Sequence, residues 1–154
     1  MGISAIARPR EQVLMRRLPF IEFMELLEFS HLRFEPPEPA AGAALLGTLE
    51  WRSGPQHDAG DASGIYVCST LEALRDAVLS PEAAEIHIDS PARGRIRLRA
   101  IARHRSAAAR PPCIRVDLSA LIRRVLVPAA APAHLYDLVR HVVMTRLWIE
   151  VARV

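Results

Sequence analysis

The sequence contains no lysine, and all twenty of its basic residues are arginine. A GC-rich genome explains this bias most simply, and the absence of lysine also excludes lysine-directed modification. Every basic side chain is therefore a permanently charged, planar group able to bind phosphate or carboxylate through two hydrogen bonds. The sequence has only two cysteines. Because we expect a reducing compartment, we predict no disulfide and no metal site between Cys68 and Cys113.

Long apolar runs are also missing. The uncharged stretches are much shorter than the roughly 18 to 20 residues that span a bilayer, so we predict no membrane segment. The residues before Arg8 are too few for the apolar part of a signal peptide. We therefore expect a cytoplasmic protein.

The 154 residues are enough for one domain, and a composition of 51% hydrophobic and 24% charged residues is typical of a globular chain. Helical spacing of apolar residues predicts a helix after Pro19, a second helix opened by a capping box at residues 69–72, and a third after Pro132. Short alternating runs between them predict strands. The fold predicted is a single α+β domain over residues 1–154, with a mainly antiparallel sheet of four to five strands and about three helices.

The core is expected to form around the first helix. Phe20, Phe23, Met24 and Leu27 recur at the spacing of one helix face. Residues 35–63 are rich in proline and glycine and are predicted to be a loop region, in which only residues 43–51 can form a brief helix or strand. The partners expected for the first helix are Leu71, Leu74, Val78, Leu138 and Val142.

Arginines alternate with apolar residues between positions 93 and 99, so a strand would place the arginines on one face and Ile96 and Leu98 on the other. Residues 93–124 contain ten arginines and one acid, Asp117. An exposed row of this kind suits phosphates or carboxylates of a partner. The binding residues predicted from this pattern are Arg93, Arg95, Arg97, Arg99, Arg103, Arg105, Arg110 and Arg115.

A hairpin offers a second interpretation of the arginine row. Residues 84–89 form a predicted strand that precedes the arginine strand, and Glu85 and Asp89 alternate within it with Ile86 and Ile88. If the two strands pair, these acids would neutralise part of the row through cross-strand ion pairs, each worth roughly 1 kcal/mol or less.

A set of segments spread over most of the chain forms a recognisable succession: residues 18–27 and 31–34, Trp51, residues 64–71, residues 116–118, residues 121–122 and residues 125–128 before Pro132. Together these segments resemble a widespread family of bacterial proteins often encoded near mobile or defence genes. The family has tyrosines before its first helix, where this chain has Arg16 and Arg17. The resemblance implies an ADP-ribosyltransferase-like fold.

The leading interpretation is a small non-enzymatic binding protein without catalytic residues, cofactor or metal. We expect an accessory or inhibitor protein of a bacterial or phage conflict system, with its arginine-rich face on an acidic protein surface or on nucleic-acid phosphates. A protein partner is preferred, because the net charge of +3 is small and aromatic residues for base stacking are few. The sequence does not indicate an oligomeric state.

The alternative is an NAD-using enzyme of the ADP-ribosyltransferase type. Arginines would hold the pyrophosphate, and Glu25, Glu28 or Glu35 would orient the ribose. A transferase requires a deep pocket that joins arginine and glutamate, whereas a binding protein requires a flat or convex arginine face.

Overall fold

The computed structural model describes residues 12–38, 42, 44–53, 64–79, 84–103 and 113–154. The helices of this part are α1 (Phe20–Phe29), α2 (Leu71–Ala77), α3 (Leu118–Leu121) and α4 (Ala133–Arg146). The strands are β1 (Leu14–Leu18), β2 (His31–Arg33), β3 (Leu45–Ser53), β4 (Ile65–Ser69), β5 (Ala84–Ala92), β6 (Arg95–Ala102), β7 (Cys113–Arg115), β8 (Arg124–Val127) and β9 (Val151–Arg153). No helix of the described part is long and apolar enough to cross a membrane.

Seven strands form one sheet in the order β5-β6-β3-β1-β4-β8-β9, and β2 and β7 form a separate pair. Neighbouring strands of the large sheet are antiparallel, except β8 and β9, which are parallel. A single α+β domain with a mainly antiparallel sheet is therefore confirmed. The predicted four to five strands were too few, and four helices are described where about three were expected.

Three inner strands that the sequence did not predict, β1, β3 and β8, explain the difference in strand number. β3 occupies nine residues inside the region predicted to be a loop, where the sequence allowed only a brief element at residues 43–51. β1 precedes Pro19, where no regular structure was expected. β1 lies at the centre of the sheet, with β3 on one side and β4 on the other. Its pattern is hard to recognise because the arginines Arg16 and Arg17 stand between its two buried leucines.

Helix α1 begins where the sequence predicts. Pro19 is its N-cap residue, and the stripe of Phe23, Leu26 and Leu27 is buried against the sheet. Ser30 ends the helix in the left-handed conformation, with φ of 53°. Its amide donates to the carbonyl oxygen of Leu26 at 2.9 Å, which satisfies one of the last helical carbonyls. The chain then turns directly into β2.

The core contains most of the residues expected of it. Phe23, Leu27 and Leu74 are buried, and Phe20, Met24, Leu71, Val78 and Val142 pack against them while partly exposed. Leu138 is the exception, because it is 46% exposed on the outer face of α4. Trp51 and Phe34 are the large buried side chains that the helix pattern did not reveal.

Strands β5 and β6 form the predicted hairpin, with a turn at Arg93 and Gly94. Arg97 faces Asp89 across the hairpin, and Arg99 faces His87. On the other side of β6, Arg97 faces Glu50 of β3. The arginine row is therefore flanked on both sides by strands that carry acids.

The pair β2–β7 covers one end of α1. Arg33 and Cys113 are direct cross-strand partners, as are His31 and Arg115. Glu35, two residues after β2, exchanges backbone hydrogen bonds with Thr48 of β3 at 2.8 and 3.0 Å. This bridge fixes the small β-pair next to the central strands of the large sheet.

Candidate functional site

The predicted arginine row lies on one face of the sheet, but its arginines form ion pairs with carboxylates of the same sheet. Arg95 donates to both carboxylate oxygens of Glu50, at 2.5 and 2.9 Å. Arg97 and Arg99 both contact Oδ2 of Asp89 at 3.2 Å. The hydrogen bond from Arg95 holds the pKa of Glu50 below its usual range, and that from Arg97 does the same for Asp89. Each of the three guanidinium groups thus has a carboxylate partner within the sheet, although Nε of Arg99 is buried without a hydrogen-bond partner among the described residues.

The remaining predicted arginines do not extend this row into a continuous surface. Arg93 is exposed in the hairpin turn, and Arg103 is exposed just beyond the end of β6. Arg115 is exposed on β7, in the other sheet. Arg105 and Arg110 lie outside the described residues. The assignment of the row as a binding surface therefore stays a prediction.

A cavity of about 160 Å³ lies elsewhere, between α1, β1 and the β2–β7 pair. None of the described arginines predicted as binding residues lines it. Two other arginines do, together with two glutamates. The cavity is lined by Arg16, Leu18, Glu22, Glu25, Leu26, Phe29, His31, Leu32, Arg33, Leu49 and Cys113.

Arg16 forms the deep end of this cavity. It alternates with Leu14 and Leu18 along β1, so it lies on the core face of the sheet. Only 14% of its side chain is exposed. Its Nη1 donates to the backbone carbonyl oxygen of Glu50 at 3.0 Å. Its Nη2 is 3.9 Å from Oε1 of Glu35, which is too long for a strong hydrogen bond.

The guanidinium of Arg16 is incompletely satisfied. Its Nε is buried and has no hydrogen-bond partner among the described residues. Burial lowers the pKa of Arg16, and the negative charges of Glu35, Glu22 and Glu50 oppose this effect. Buried cations are costly unless they are fully paired. An anion in the cavity would compensate the charge of this guanidinium further, although its buried Nε is covered by protein atoms.

The mouth of the cavity carries a second arginine and two rings. Arg33 Nη2 donates to Glu25 Oε2 at 2.7 Å, and both side chains are well exposed. The rings of Phe29 and His31 have centroids 6.5 Å apart and are tilted by 34°. Cys113, a free and exposed cysteine, also lines the cavity.

Of the three glutamates predicted to orient a ribose, the structure places one in the cavity lining. Glu25 lines the cavity. Glu35 does not line it but lies 3.9 Å from Nη2 of Arg16, which does. Glu28 instead pairs with Arg146 of α4. Glu22 also lines the cavity and was not identified from the sequence. The available signal for the site was weak: Arg16 lies two residues from both Leu14 and Leu18, so a strand would place it on the same face as these leucines.

The cavity therefore combines a deep cation, mouth carboxylates and aromatic rings. This combination suits a ligand with an anionic group, hydroxyl groups and a flat ring. Within the described part of the chain, no group of three or more histidine, cysteine, aspartate or glutamate side chains is arranged to hold a metal ion.

Comparison with known proteins gives a fold likeness. No protein-family model matches the sequence, and no curated protein matches it either. A solved structure of DarT from Thermus sp. 2.9 in complex with NAD⁺ matches with a TM-score of 0.52 and 9% identity, over 95% of this chain and 96% of that chain. DarT from the same source in complex with carba-NAD⁺ gives a TM-score of 0.48 and 11% identity, over 95% and 97%.

At this identity the likeness is one of fold, and it fits the ADP-ribosyltransferase-like fold implied by the sequence resemblance. The prediction of a small non-enzymatic binding protein is wrong, because the fold is similar to that of an NAD-bound ADP-ribosyltransferase. Neither the structure nor the comparisons support the assignments as an inhibitor, a protein binder or a nucleic-acid binder.

Proposed function

We propose that this chain binds NAD⁺ and transfers its ADP-ribose group, and that the cavity at Arg16 holds part of the dinucleotide. The observation that carries the proposal is the cavity itself, which joins arginine and glutamate as a transferase pocket requires. The fold likeness to an NAD-bound ADP-ribosyltransferase supports it independently.

The role proposed for each residue of the cavity follows from its charge and from how deep it lies. The guanidinium of Arg16 would attract a pyrophosphate oxygen into the cavity through its positive charge. Glu25 is placed to accept from ribose hydroxyls at the mouth, after giving up part of its contact with Arg33. Phe29 presents an exposed ring for an aromatic base. Binding would thus exchange an exposed ion pair, worth little, for ligand contacts.

The reaction breaks the bond between the nicotinamide nitrogen and C1′ of its ribose. Nicotinamide leaves as a neutral molecule and takes both bonding electrons, so positive charge develops on the ribose. A nucleophilic atom of the acceptor then bonds to C1′ and releases its proton. Glu22 and Glu25 supply negative charge at the cavity, which stabilises the developing cation.

The volume of the cavity limits how much of NAD⁺ it encloses. Pockets that bury whole drug-sized ligands have volumes of roughly 300 to 1,000 Å³, and this one has about 160 Å³. We therefore expect one part of the dinucleotide to be enclosed and the rest to lie across the mouth, beside Arg33 and Phe29.

Isothermal titration calorimetry of the full chain with NAD⁺ tests binding. We expect saturable binding by the wild type, loss of binding in Arg16→Gln, and unchanged binding in Arg97→Gln. Arg97 is the matched control, because its charge is held by Asp89 on the other face of the sheet. Chromatographic detection of released nicotinamide tests the chemistry. The absence of NAD⁺ binding by the folded wild type, or equal losses in both variants, would refute the proposal.

A further inference from the structure

The outer edge of strand β5 is open to a further strand. β5 is the first strand of the large sheet and pairs on one side alone, with β6. On its other side, the backbone of β5 makes no hydrogen bond to the backbone of any described residue. A row of unpaired amide and carbonyl groups along a sheet edge is a template for pairing with another extended polypeptide.

An apolar groove lies beside this edge, between β5 and α2. It has a volume of about 310 Å³, and the described residues that line it are Arg75, Val78, Ile86 and Ile88. Ile86 and Ile88 lie on one face of β5 and pack against the core while partly exposed. A strand added to β5 would place every second side chain on this same face, over the groove.

We propose that the outer edge of β5 binds an extended segment of a partner protein as an additional strand. On the side of the groove, this segment carries apolar side chains and one acidic side chain. The proposal goes beyond the transferase function and does not rest on it, because no described residue of β5 or α2 lines the cavity at Arg16.

Arg75 is the residue that favours an acidic side chain in the partner. Its side chain is exposed on α2, and its guanidinium has no ion pair or hydrogen bond within the described part of the chain. Among the described residues, the groove lining contains no acid. A carboxylate that enters with the added strand would accept two hydrogen bonds from this guanidinium. The groove therefore complements an acidic apolar segment in both shape and charge.

A second copy of this chain is a poorer occupant. If two β5 strands paired edge to edge, each groove would need a carboxylate from the other copy. The acids of β5, Glu85 and Asp89, alternate with Ile86 and Ile88 and therefore lie on the opposite face of the strand. The added strand is thus expected from a different protein.

The open part of the edge is short. The pairing of β5 with β6 shifts in register between Asp89 and Ala92, and Pro91 within this stretch has no amide hydrogen to donate. Both features oppose strand addition close to the hairpin turn. The partner segment that fits is therefore about as long as residues 84–89.

Selection of random peptides of about twelve residues displayed on phage, with the full chain as bait, tests the proposal. We expect the enriched peptides to carry apolar residues at alternate positions and an aspartate or glutamate in the same alternate set. By fluorescence anisotropy, Arg75→Glu should weaken the binding of the best enriched peptide by about tenfold or more, because it places like charges together. Replacing the acid of that peptide with lysine should restore its binding to Arg75→Glu.

Arg140→Glu is the matched control. It makes the same charge change at an exposed arginine of α4 that does not line the groove, and it should bind the peptide normally. Equal peptide binding by Arg75→Glu and Arg140→Glu would overturn the proposal, as would enrichment of basic peptides or failure to enrich any peptide.

N-methylated versions of the best peptide test strand addition itself. Successive amides of a strand point to opposite sides, so only one alternate set would donate to β5. Methylation of that set should abolish binding, and methylation of the other set should leave most of it. Equal losses from the two sets would contradict strand addition.

Sedimentation and calorimetry separate the remaining outcomes. A dimer of the wild type that the enriched peptide does not dissociate would show that a second copy occupies the edge, which would overturn the proposal. Arg75→Glu should bind NAD⁺ as the wild type does, because Arg75 does not line the cavity at Arg16. Peptide binding by a wild type that does not bind NAD⁺ would refute the transferase proposal and support the edge of β5 as a peptide site.

Discussion

Arg16 and Glu50 meet through the main chain, although their side chains have opposite charges. Nη1 of Arg16 donates to the backbone carbonyl oxygen of Glu50 at 3.0 Å on the core face of the sheet. The carboxylate of Glu50 lies on the other face, where Arg95 binds it. Alternation along β3 therefore separates the cation of the cavity from the nearest strand acid, and Arg16 is left available for an anion.

Replacing Arg16 with methionine should separate stability from ligand binding. Methionine has a similar reach and removes a poorly satisfied buried charge, so we expect the melting temperature of Arg16→Met to be unchanged or raised. NAD⁺ binding should be lost in the same protein. Thermal unfolding followed by circular dichroism, together with calorimetry, measures both. A large loss of stability in Arg16→Met would show that this arginine has a structural role.

Phe23 is fully buried on the core-facing side of α1. Phe23→Ala should lower the free energy of unfolding by about 3 to 5 kcal/mol, because it removes apolar contacts and leaves a cavity. Urea unfolding measures this change. Phe29→Ala is the control on the same helix, because Phe29 is exposed, and its unfolding should change little. Similar losses in the two variants would contradict the buried position of Phe23.

Two adjacent hydroxyl groups at the start of α2, those of Ser69 and Thr70, differ in their hydrogen bonding. Thr70 Oγ1 accepts from the amide of Ala73 at 3.0 Å, whereas Ser69 Oγ is buried without a partner among the described residues. Thr70→Ala should therefore cost about 1 kcal/mol of stability. Ser69→Ala should be neutral or stabilising, because it removes an unsatisfied polar group. Urea unfolding of the two single variants measures the contrast, and a larger loss in Ser69→Ala would contradict it.

The ion pairs of Asp89 make the stability of the fold depend on pH. Arg97, with help from Arg99, holds the pKa of Asp89 below its value in the unfolded chain. This contribution is complete above the unfolded pKa of about 3.9 and is lost as the pH falls toward the folded pKa. We expect Asp89→Asn to be less stable than the wild type near neutral pH and the difference to shrink in acid.

Melting temperatures measured between neutral pH and about pH 2 test this expectation. Glu38→Gln is the control, since the exposed carboxylate of Glu38 makes no ion pair in the described part of the chain. It should follow the pH profile of the wild type. A constant difference between Asp89→Asn and the wild type at every pH would show that the two arginines do not stabilise the charged form.

Local sequence patterns were sufficient for elements whose periodicity is intact. The helices after Pro19 and Pro132, and the hairpin of β5 and β6, follow from apolar spacing and turn residues alone. Even the parity of the arginine row was readable, because alternation in a strand depends only on position along the chain. The N-cap of α2 was misplaced by one residue: only Ser69 has a glutamate three residues later, yet Thr70 caps the helix.

The tertiary structure determines which arginines are available to bind a ligand. Arg95, Arg97 and Arg99 belong to the most conspicuous charge pattern of the sequence, yet strand pairing places them against Glu50 and Asp89. Arg16 is inconspicuous in the sequence and becomes the deep cation of the cavity, because β1 is the central strand and α1 covers its face. A charge acquires its role from its surroundings, and contacts between distant segments determine those surroundings.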